Sequence, residues 1–339
     1  MRPRRRDVPK SGSNEPGRAL RYRNLVNPFE PTRIFSDDQI ESIHLTALEM
    51  LTRQGMRVLS PRGRTALATA GAKVDESTQM VYVEPGMVAE ALKTVPGQVA
   101  LTARNPERSC RVGGRNVVFA PVAGPPSVSD LKGGKRTGTI EEFRNFVRLS
   151  QAFDVIHVLG QMVEPQDVPM SERHLETSLA QLTLGDKAPY FYCRGAAQLA
   201  DCFAMARIAH GMDEATFRGT PVCYTICNTN SPLQLDIPMT DGIIEFAAHG
   251  QLVIITPFTL AGAMAPITIA GALTLAHAEA LLGITLAQII RPGAPVMYGS
   301  FTSNVDMKSG SPAFGICRDP KQTTIKPHDI TVHNHRAFT

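Results

Sequence analysis

Residues 221–256 read PVCYTICNTNSPLQLDIPMTDGIIEFAAHGQLVIIT. Two short apolar runs, 221–226 and 252–256, flank a polar loop and a segment over 239–249 with helical periodicity. A short run of continuous apolar residues is typical of a strand buried on both faces, and such strands form parallel sheets connected by helices. The stretch therefore predicts one strand–helix–strand unit of an α/β fold.

The same unit recurs on both sides of this stretch. We predict six strands, at 116–122, 154–160, 189–193, 221–226, 252–256 and 294–299, separated by helices at 139–152, 171–184, 195–210, 239–249 and 268–290. This alternation fits a doubly wound sheet or a (β/α)8 barrel. No GxGxxG follows the first strand, as a dinucleotide-binding sheet would require, and long polar loops after the strands favour the barrel. Because a barrel of this type closes with eight strands, the predicted fold is an incomplete TIM-type (β/α)8 barrel of about six βα units.

The rest of the chain differs from this pattern and suggests four segments. Residues 1–23 are predicted to be a disordered basic arm, and 24–115 an N-terminal α+β extension that opens with a capping box at Ser36. The barrel region, 116–315, precedes a tail over 316–339 that lacks apolar periodicity. The arm carries a charge of +6 and the tail +2, so the overall +4 leaves the body at −4.

Composition and charge exclude several classes of protein. No basic face interleaved with aromatic residues is present, so nucleic-acid binding is not expected. The six cysteines form no CxxC pair, which predicts reduced thiols in the cytoplasm and no metal site. Residues 252–276 carry no charge, but Pro257 and Pro266 interrupt them. We therefore predict a buried strand, a loop and a buried helix there, with no membrane span.

Two long segments carry a family resemblance. Residues 228–315, which begin NTNSPLQLDIPMTDGIIEFAAHG and end YGSFTSNVDMKSGSPAFG, closely resemble the trimethylamine methyltransferase family. Residues 27–58, NPFEPTRIFSDDQIESIHLTALEMLTRQGMRV, resemble that family's opening. The resemblance implies a TIM barrel that moves a methyl group from a small methylated amine to a corrinoid. The corrinoid (cobalamin) is expected on a separate corrinoid-binding protein, so no cofactor is expected to bind this chain directly. Nothing marks a pyrrolysine, which implies a quaternary amine such as glycine betaine.

The resemblance stops at Gly315. In the family, SPAFG continues into a long further segment, whereas here an unrelated tail begins at Ile316. Two alternatives follow: a methyltransferase, or a truncated and catalytically inactive barrel fragment. An unpaired strand edge in such a fragment would also favour self-association into a homo-oligomer. A third class, an aldolase or lyase barrel, would need a Schiff-base lysine or a metal cluster at a strand end, and we identify neither.

Holding a quaternary ammonium requires aromatic faces and counter-charge, and a betaine also requires donors for its carboxylate. Polar and aromatic residues just after the last three strands supply these groups. The candidate substrate-binding residues are Asn228, Asn230, Thr256, Phe258, Glu279, Tyr298, Ser300, Phe301, Asn304 and Asp306. Ordinary turn chemistry also explains loop Asn, Ser and Asp residues, so both interpretations stay open for each. No catalytic residue is assigned.

Three acidic residues and one arginine have simpler explanations. Glu279 lies beside His277 in a nearly uncharged helix, so a hydrogen bond to a neighbouring loop is favoured over a role as a site carboxylate. Asp241 and Glu245 fit a solvated helix face. Arg194, just past the third strand, fits either a carboxylate-binding group or, more simply, a surface ion pair.

Overall fold

The protein is described by a computed structural model that covers residues 22–30, 33–306, 308–310 and 312. The predicted tail over 316–339 and all but two residues of the predicted arm over 1–23 therefore lie outside the described residues.

The N-terminal region is a set of short strands and three helices. Its elements are β1 Leu25–Val26, α1 Asp37–Arg53, β2 Met56–Val58, α2 Pro61–Thr69, β3 Lys73–Asp75, β4 Met80–Tyr82, α3 Pro85–Lys93, β5 Gln98–Leu101, a 3-10 turn at Pro106–Arg108, β6 Cys110–Gly113 and β7 Asn116–Val117. The predicted capping box is present, because the Ser36 side chain accepts from the Gln39 amide and the Gln39 side chain accepts from the Ser36 amide. Helix α1 packs on the long helix of the second region.

The second region begins with a β-hairpin and four successive helices, and strands alternate with helices from residue 224 onward. Its elements are β8 Ser127–Asp130, β9 Gly134–Thr137, α4 Ile140–Ala152, α5 Arg173–Leu184, α6 Ala196–His210, α7 Glu214–Gly219, β10 Tyr224–Asn230, β11 Gln234–Leu235, α8 Ile237–Ala248, β12 Leu252–Ala261, α9 Ile269–Ile290, β13 Val296–Tyr298 and β14 Phe301–Asn304. The segment GGKRTG (133–138) forms the turn and second strand of the β8–β9 hairpin. Arg136 forms ion pairs with Asp130 in the same hairpin and with Glu142 in α4, and these contacts hold the hairpin against that helix.

The six predicted strand segments are neighbours in chain order. β10 pairs in parallel with β12, which pairs in parallel with β13 and, further along, with β14. On the other side of β10, parallel bridges join Tyr190 to Tyr224 and Val158 to Ala188. The His157 amide donates to the Phe119 carbonyl, which adds the first segment. The prediction of a parallel α/β sheet is confirmed for the last three predicted strands, which are β10, β12 and β13. The predicted strands at 154–160 and 189–193 join the sheet only through single bridges, and the one at 116–122 contributes β7, which pairs antiparallel with β1.

The two faces of this sheet have different neighbours. In the segments up to β12, odd-numbered residues, including Cys193, Cys227 and Val253, belong to a buried core with residues of α6, α8 and α9, and the register reverses this parity in β13. Leu159 packs with residues of α4 and α5 on the same side. We call this side the helix face. Even-numbered residues such as Tyr190 pack on the β5–β6 hairpin, and we call that side the hairpin face.

The β5–β6 hairpin covers only one end of its face. Val99 and Val112 pack on Tyr224 and other residues at the start of the strands. The Thr102 amide donates to the Pro221 carbonyl over 2.8 Å, which fixes the hairpin at the amino ends of the strands. The accessible part of the hairpin face therefore lies at the carboxyl ends of the strands, where parallel α/β sheets hold their sites.

Helix α9 is the one described helix that is long and apolar enough to cross a membrane. Its most apolar window is 83% buried, and it packs on β12 and α8 in the core. The prediction of a strand, a loop and a buried helix for residues 252–276 is confirmed.

Candidate functional site

The strand register arranges the carboxyl end of the hairpin face in rows. Asn228 is paired with Thr256, and the β12–β13 register continues from Thr256 to Gly299. The Tyr190–Tyr224 bridge, extended along the strands, brings Arg194 level with Asn228. The contact of Cys193 Sγ with Cys227 Sγ, at 3.6 Å on the opposite face, supports that register.

Rows of different character lie on either side of this one. Towards the hairpin, Tyr192, Ile226, Ile254 and Met297 are partly buried against the hairpin-face core. Towards the carboxyl end, Asn230 is paired with Phe258, and Phe258 with Phe301. The site therefore has an apolar floor, a polar middle row and an aromatic rim.

Four predicted site residues lie in strands, which corrects their expected position after them. Asn228 and Asn230 are in β10, and Thr256 and Phe258 are in β12. Both strands continue past their apolar runs because the polar residues are held in the parallel ladder. From Ile226 to Asn230 in β10 and from Ile254 to Phe258 in β12, hairpin-face side chains are at least partly exposed while their helix-face neighbours are buried.

The middle row is held in place by its own contacts. Asn228 Nδ2 donates to the Thr256 carbonyl over 3.0 Å, which fixes the amide plane. A Cβ at Gly299 would approach Thr256 Oγ1 to 2.3 Å and Ile254 Cγ2 to 2.9 Å. Gly299 is therefore required for the space beside Thr256.

Phe258 and Phe301 form the aromatic rim. Their ring centroids are 4.9 Å apart with an interplanar angle of 8°, and Phe301 is 41% exposed. Phe301 lies in β14, not in a loop as predicted. Stacked rings beside a polar row offer π-faces to a cation.

Tyr298 lies apart from this group. It is in β13, and its hydroxyl is 3.2 Å from Nδ1 of His277 on α9, on the helix face. His277 Nε2 is in turn 2.9 Å from His44 Nδ1 on α1. Burial and the neighbouring His44 lower the pKa of His277 to about 3, so this histidine is neutral. The hydroxyl of Tyr298 is on the opposite side of the sheet from Asn228 and Thr256, which corrects its expected place in the cation cage.

The remaining predicted residues of the last segment lie at the edge of the site. Ser300 Oγ is 2.9 Å from Thr302 Oγ1, and the hydroxyl of Thr302 contacts Thr259. Asn304 ends β14 and is exposed. Asp306 Oδ1 accepts from the Lys308 amide over 2.8 Å, which is local turn chemistry.

Glu279 is fully buried in α9 on the helix face. Its carboxylate accepts from the Thr229 hydroxyl, from Ser231 Oγ over 2.7 Å and from the Leu233 amide over 2.8 Å. Burial raises the pKa of Glu279, and these three hydrogen bonds oppose that shift. The favoured interpretation, a hydrogen bond to a neighbouring loop, matches these contacts.

One charged cluster at the site was missed as a unit by the sequence analysis. Glu164 accepts from Arg194 Nη2, and also from Arg173 Nη1 over 3.1 Å. The Arg194 guanidinium lies 4.9 Å from the centroid of the Tyr192 ring. The Arg194 side chain is only 14% exposed, so its ion pair is more enclosed than the expected surface pair. The spacing of Tyr190, Tyr192 and Arg194 at every second residue is the sequence pattern that could have placed Arg194 on the same face as the two tyrosines.

Neither a metal site nor a nucleophile can be assigned. Within the described ranges, no group of three or more His, Cys, Asp or Glu side chains could hold a metal ion. The geometry offers instead a row of partly enclosed groups, namely a guanidinium, an amide, a hydroxyl and aromatic faces.

Comparison with known proteins identifies the family. Residues 2–326 match the model of the trimethylamine methyltransferase (MTTB) family, so the match extends past Gly315, where the resemblance was expected to stop. A glycine betaine methyltransferase from Desulfitobacterium hafniense strain Y51 is 35% identical over 283 residues, covering 83% of this chain and 58% of that protein. Trimethylamine methyltransferase MttB from Desulfitobacterium hafniense strain DSM 10664 / DCB-2 is 31% identical over 290 residues, with the same coverage.

Among solved structures, the Methanosarcina barkeri monomethylamine methyltransferase MtmB aligns with a TM-score of 0.48 and 12% identity, covering 82% of this chain and 55% of that one. The chain spans less than two thirds of the length of these relatives. The alternative of an inactive fragment draws no support from these matches. The match over 2–326 and the relative at 35% identity together show that the chain belongs to the trimethylamine methyltransferase family.

Proposed function

We propose that this protein transfers a methyl group from a small quaternary amine such as glycine betaine to a corrinoid carried by a separate corrinoid-binding protein. Membership of the family and the relative at 35% identity support methyl transfer from a methylated amine. The observation that carries the proposal is the row of partly buried polar and aromatic side chains at the carboxyl end of the hairpin face. We place the reaction in the cytoplasm, where thiols stay reduced.

We further propose that the sheet is part of a TIM-type (β/α)8 barrel. Six segments follow one another in chain order, and the helices between them pack on one face. A doubly wound sheet would reverse its strand order and place helices on both faces. In a barrel, the hairpin face is the interior, and the carboxyl ends of the strands surround the site.

The residues of this chain would bind and orient the amine. The reduced corrinoid of the partner supplies a strong nucleophile for one methyl carbon. The carbon–nitrogen bond breaks and its electron pair stays on nitrogen, so the leaving tertiary amine is neutral and needs no general acid. This balance explains why an amide, a hydroxyl and aromatic rings are sufficient at the site, provided that they orient one methyl towards the mouth and exclude water.

The aromatic rim is suited to the ammonium group. The stacked rings of Phe258 and Phe301 lie one step beyond Thr256 along the strand. A quaternary ammonium on such a ring face gains electrostatic attraction without requiring a hydrogen-bond acceptor. Its methyl groups would then lie near the mouth, where a partner protein can approach.

Methyl transfer from glycine betaine to free cob(I)alamin, measured with the full chain, tests the proposal. We expect dimethylglycine to form, as followed by NMR, together with loss of the absorbance of the reduced corrinoid. The variant Asn228→Ala should slow the reaction, whereas Glu90→Ala, on the exposed surface of α3, should not. A cooperatively folded protein that produces no demethylated amine from glycine betaine, choline or trimethylamine would favour the inactive fragment instead. Sizing chromatography of the same sample tests for a homo-oligomer.

A further inference from the structure

We propose that Arg194 binds the carboxylate of the substrate and so restricts the site to quaternary amines that carry a carboxylate. The inference rests on the proposed function and names the feature of the substrate that the site recognises. Extending the Tyr190–Tyr224 bridge by four residues along each segment places Arg194 level with Asn228, which is paired with Thr256 at the carboxyl end of the hairpin face. A guanidinium matches a carboxylate with two parallel hydrogen bonds, which a lysine does not reproduce.

Arg194 is held in one orientation before any ligand arrives. Its Nη2 donates to Glu164, and its guanidinium lies 4.9 Å from the Tyr192 ring centroid. A carboxylate on one side and an aromatic ring on the other therefore fix the planar group. Fixing a binding group in advance lowers the entropy lost when the ligand is bound.

The cluster around Arg194 carries excess positive charge. Glu164 is shared between Arg194 and Arg173, so one negative charge faces two positive charges. Arg173 is committed elsewhere, because its Nε and Nη2 both donate to the Val168 carbonyl. Glu164 Oε2 also accepts from Gln161, which leaves this carboxylate fully engaged. The side chains of both arginines and of Glu164 are at most 15% exposed, so water screens this excess charge only weakly.

The donors of Arg194 are not all used. Within the described part of the chain, Nη2 makes its one hydrogen bond, to Glu164, while Nε and Nη1 have no partner. Neither of these atoms is among the described buried side-chain atoms that lack a partner, so both are accessible. The guanidinium therefore offers two further N–H donors to an anionic group in the row that contains Asn228.

Excess positive charge has a second consequence for selectivity. A permanent cation without a carboxylate, such as choline or tetramethylammonium, is repelled by the cluster and leaves the guanidinium donors unpaired. Glycine betaine is neutral overall and can place its carboxylate on Arg194 and its ammonium towards the aromatic rim. The site then discriminates by repulsion as well as by attraction.

Binding of glycine betaine, choline and tetramethylammonium, measured by calorimetry on the full chain, tests this proposal without requiring turnover. We expect betaine to bind the unmodified protein about 10- to 100-fold more tightly than choline, which is the range for a hydrogen bond to a charged group. The variant Arg194→Met should weaken betaine binding by the same factor while binding of choline is unchanged or improved. Arg194→Lys should lie between the two.

Arg144→Met is the matched control, because Arg144 also pairs with a glutamate but on the outer helices. It should leave all three affinities unchanged. Equal binding of betaine and choline to the unmodified protein, or no binding of betaine, would overturn the proposal, even if Arg194→Met does not fold. Binding of betaine that depends on Arg194 without any methyl transfer would retain the proposal and reject the proposed function. If Arg194→Met transferred the methyl group of betaine as fast as the unmodified protein, the proposed function would be retained and the role of Arg194 would be rejected.

Discussion

The two faces of the parallel sheet use polar residues in opposite ways. On the helix face, Glu279 accepts three hydrogen bonds, and His277 contacts both His44 and Tyr298. On the hairpin face, Arg194 and Asn228 are each fixed by one hydrogen bond and keep further polar atoms accessible. Buried polar groups with complete partners stabilise a fold, whereas partly enclosed groups with spare capacity can bind a ligand. Neighbouring residues of one strand, such as Thr229 and Asn228, therefore have different roles.

Replacing Glu279 should give the largest loss of stability. Glu279→Ala leaves two hydroxyl groups and the Leu233 amide without their acceptor in a buried position. We expect the free energy of unfolding, measured in urea, to fall by about 3 kcal/mol or more. Glu279→Gln should cost less, because the amide keeps an oxygen acceptor.

Glu90→Ala is the control for this comparison, since Glu90 pairs with Lys93 on the surface and both are largely exposed. Its effect should stay within about 0.5 kcal/mol. Equal urea midpoints for Glu279→Ala and Glu90→Ala would show that the helix-face network does not stabilise the fold.

The buried His277 should make stability depend on pH. Its folded pKa is about 3, below its ordinary value of 6.5, so the unfolded chain binds a proton first as the pH falls. The contribution of His277 is therefore complete above pH 6.5 and is lost progressively from there towards pH 3. Burial also lowers the pKa of His44, so His44 likewise makes the protein less stable as the pH falls.

Urea unfolding between pH 6.5 and 5 measures this dependence. Each unit of pH should remove up to about 1.4 kcal/mol for each such proton. His277→Asn should reduce that slope, whatever its effect on stability at pH 7. Parallel pH profiles for the variant and the unmodified protein would contradict a buried neutral histidine.

A methyl group added on the helix face should act on stability alone. At Gly242 on α8, a Cβ would lie 2.3 Å from Cys193 Sγ, so Gly242→Ala should cost about 1–3 kcal/mol by overpacking. Adding Cys193→Ala removes the clashing sulfur and should recover part of that loss. The folded fraction of Gly242→Ala should keep its KM for glycine betaine.

Gly299→Ala is the corresponding change on the hairpin face. Its Cβ would occupy the space beside Thr256 Oγ1, so KM for glycine betaine should rise even where the protein remains folded. If Gly242→Ala raised KM and Gly299→Ala did not, the division of roles between the two faces would be wrong.

The sequence predicted the helices better than the strand ends. Caps such as Ser36 and Thr139 mark helix starts, because their side chains accept backbone hydrogen bonds at fixed positions. Apolar runs did not show where β10 and β12 end, because β10 ends in the polar stretch 228–230 and the apolar run of β12 is interrupted at Thr256 and Pro257. Hydropathy therefore predicts a loop where the structure has a strand that lines the site.

Long-range pairing explains the other differences. Glu164 and Arg194 are 30 positions apart, and only the parallel register brings them together. Tyr298 looked like a site residue because it follows an apolar run, yet one position along a strand decides which face a side chain occupies. Glu279 was predicted correctly from burial alone, because a buried carboxylate requires partners.

The smallest expected loss of stability concerns the aromatic rim. A pair of matched substitutions there and on the helix face distinguishes a role in substrate binding from a role in packing. Phe258→Leu removes the parallel stack on Phe301, which is worth about 0.5–1.5 kcal/mol, and it also removes a π-face from the site. Phe203→Leu is the matched change on the helix face, where Phe203 packs edge-on to Phe246 with centroids 5.0 Å apart. Phe203 is 3% exposed, so its replacement should cost at least as much stability. We expect only Phe258→Leu to raise KM for glycine betaine, and Phe258→Tyr to restore it, since tyrosine keeps the ring. If both leucine variants changed KM in proportion to their loss of stability, the rim would contribute packing and not cation binding.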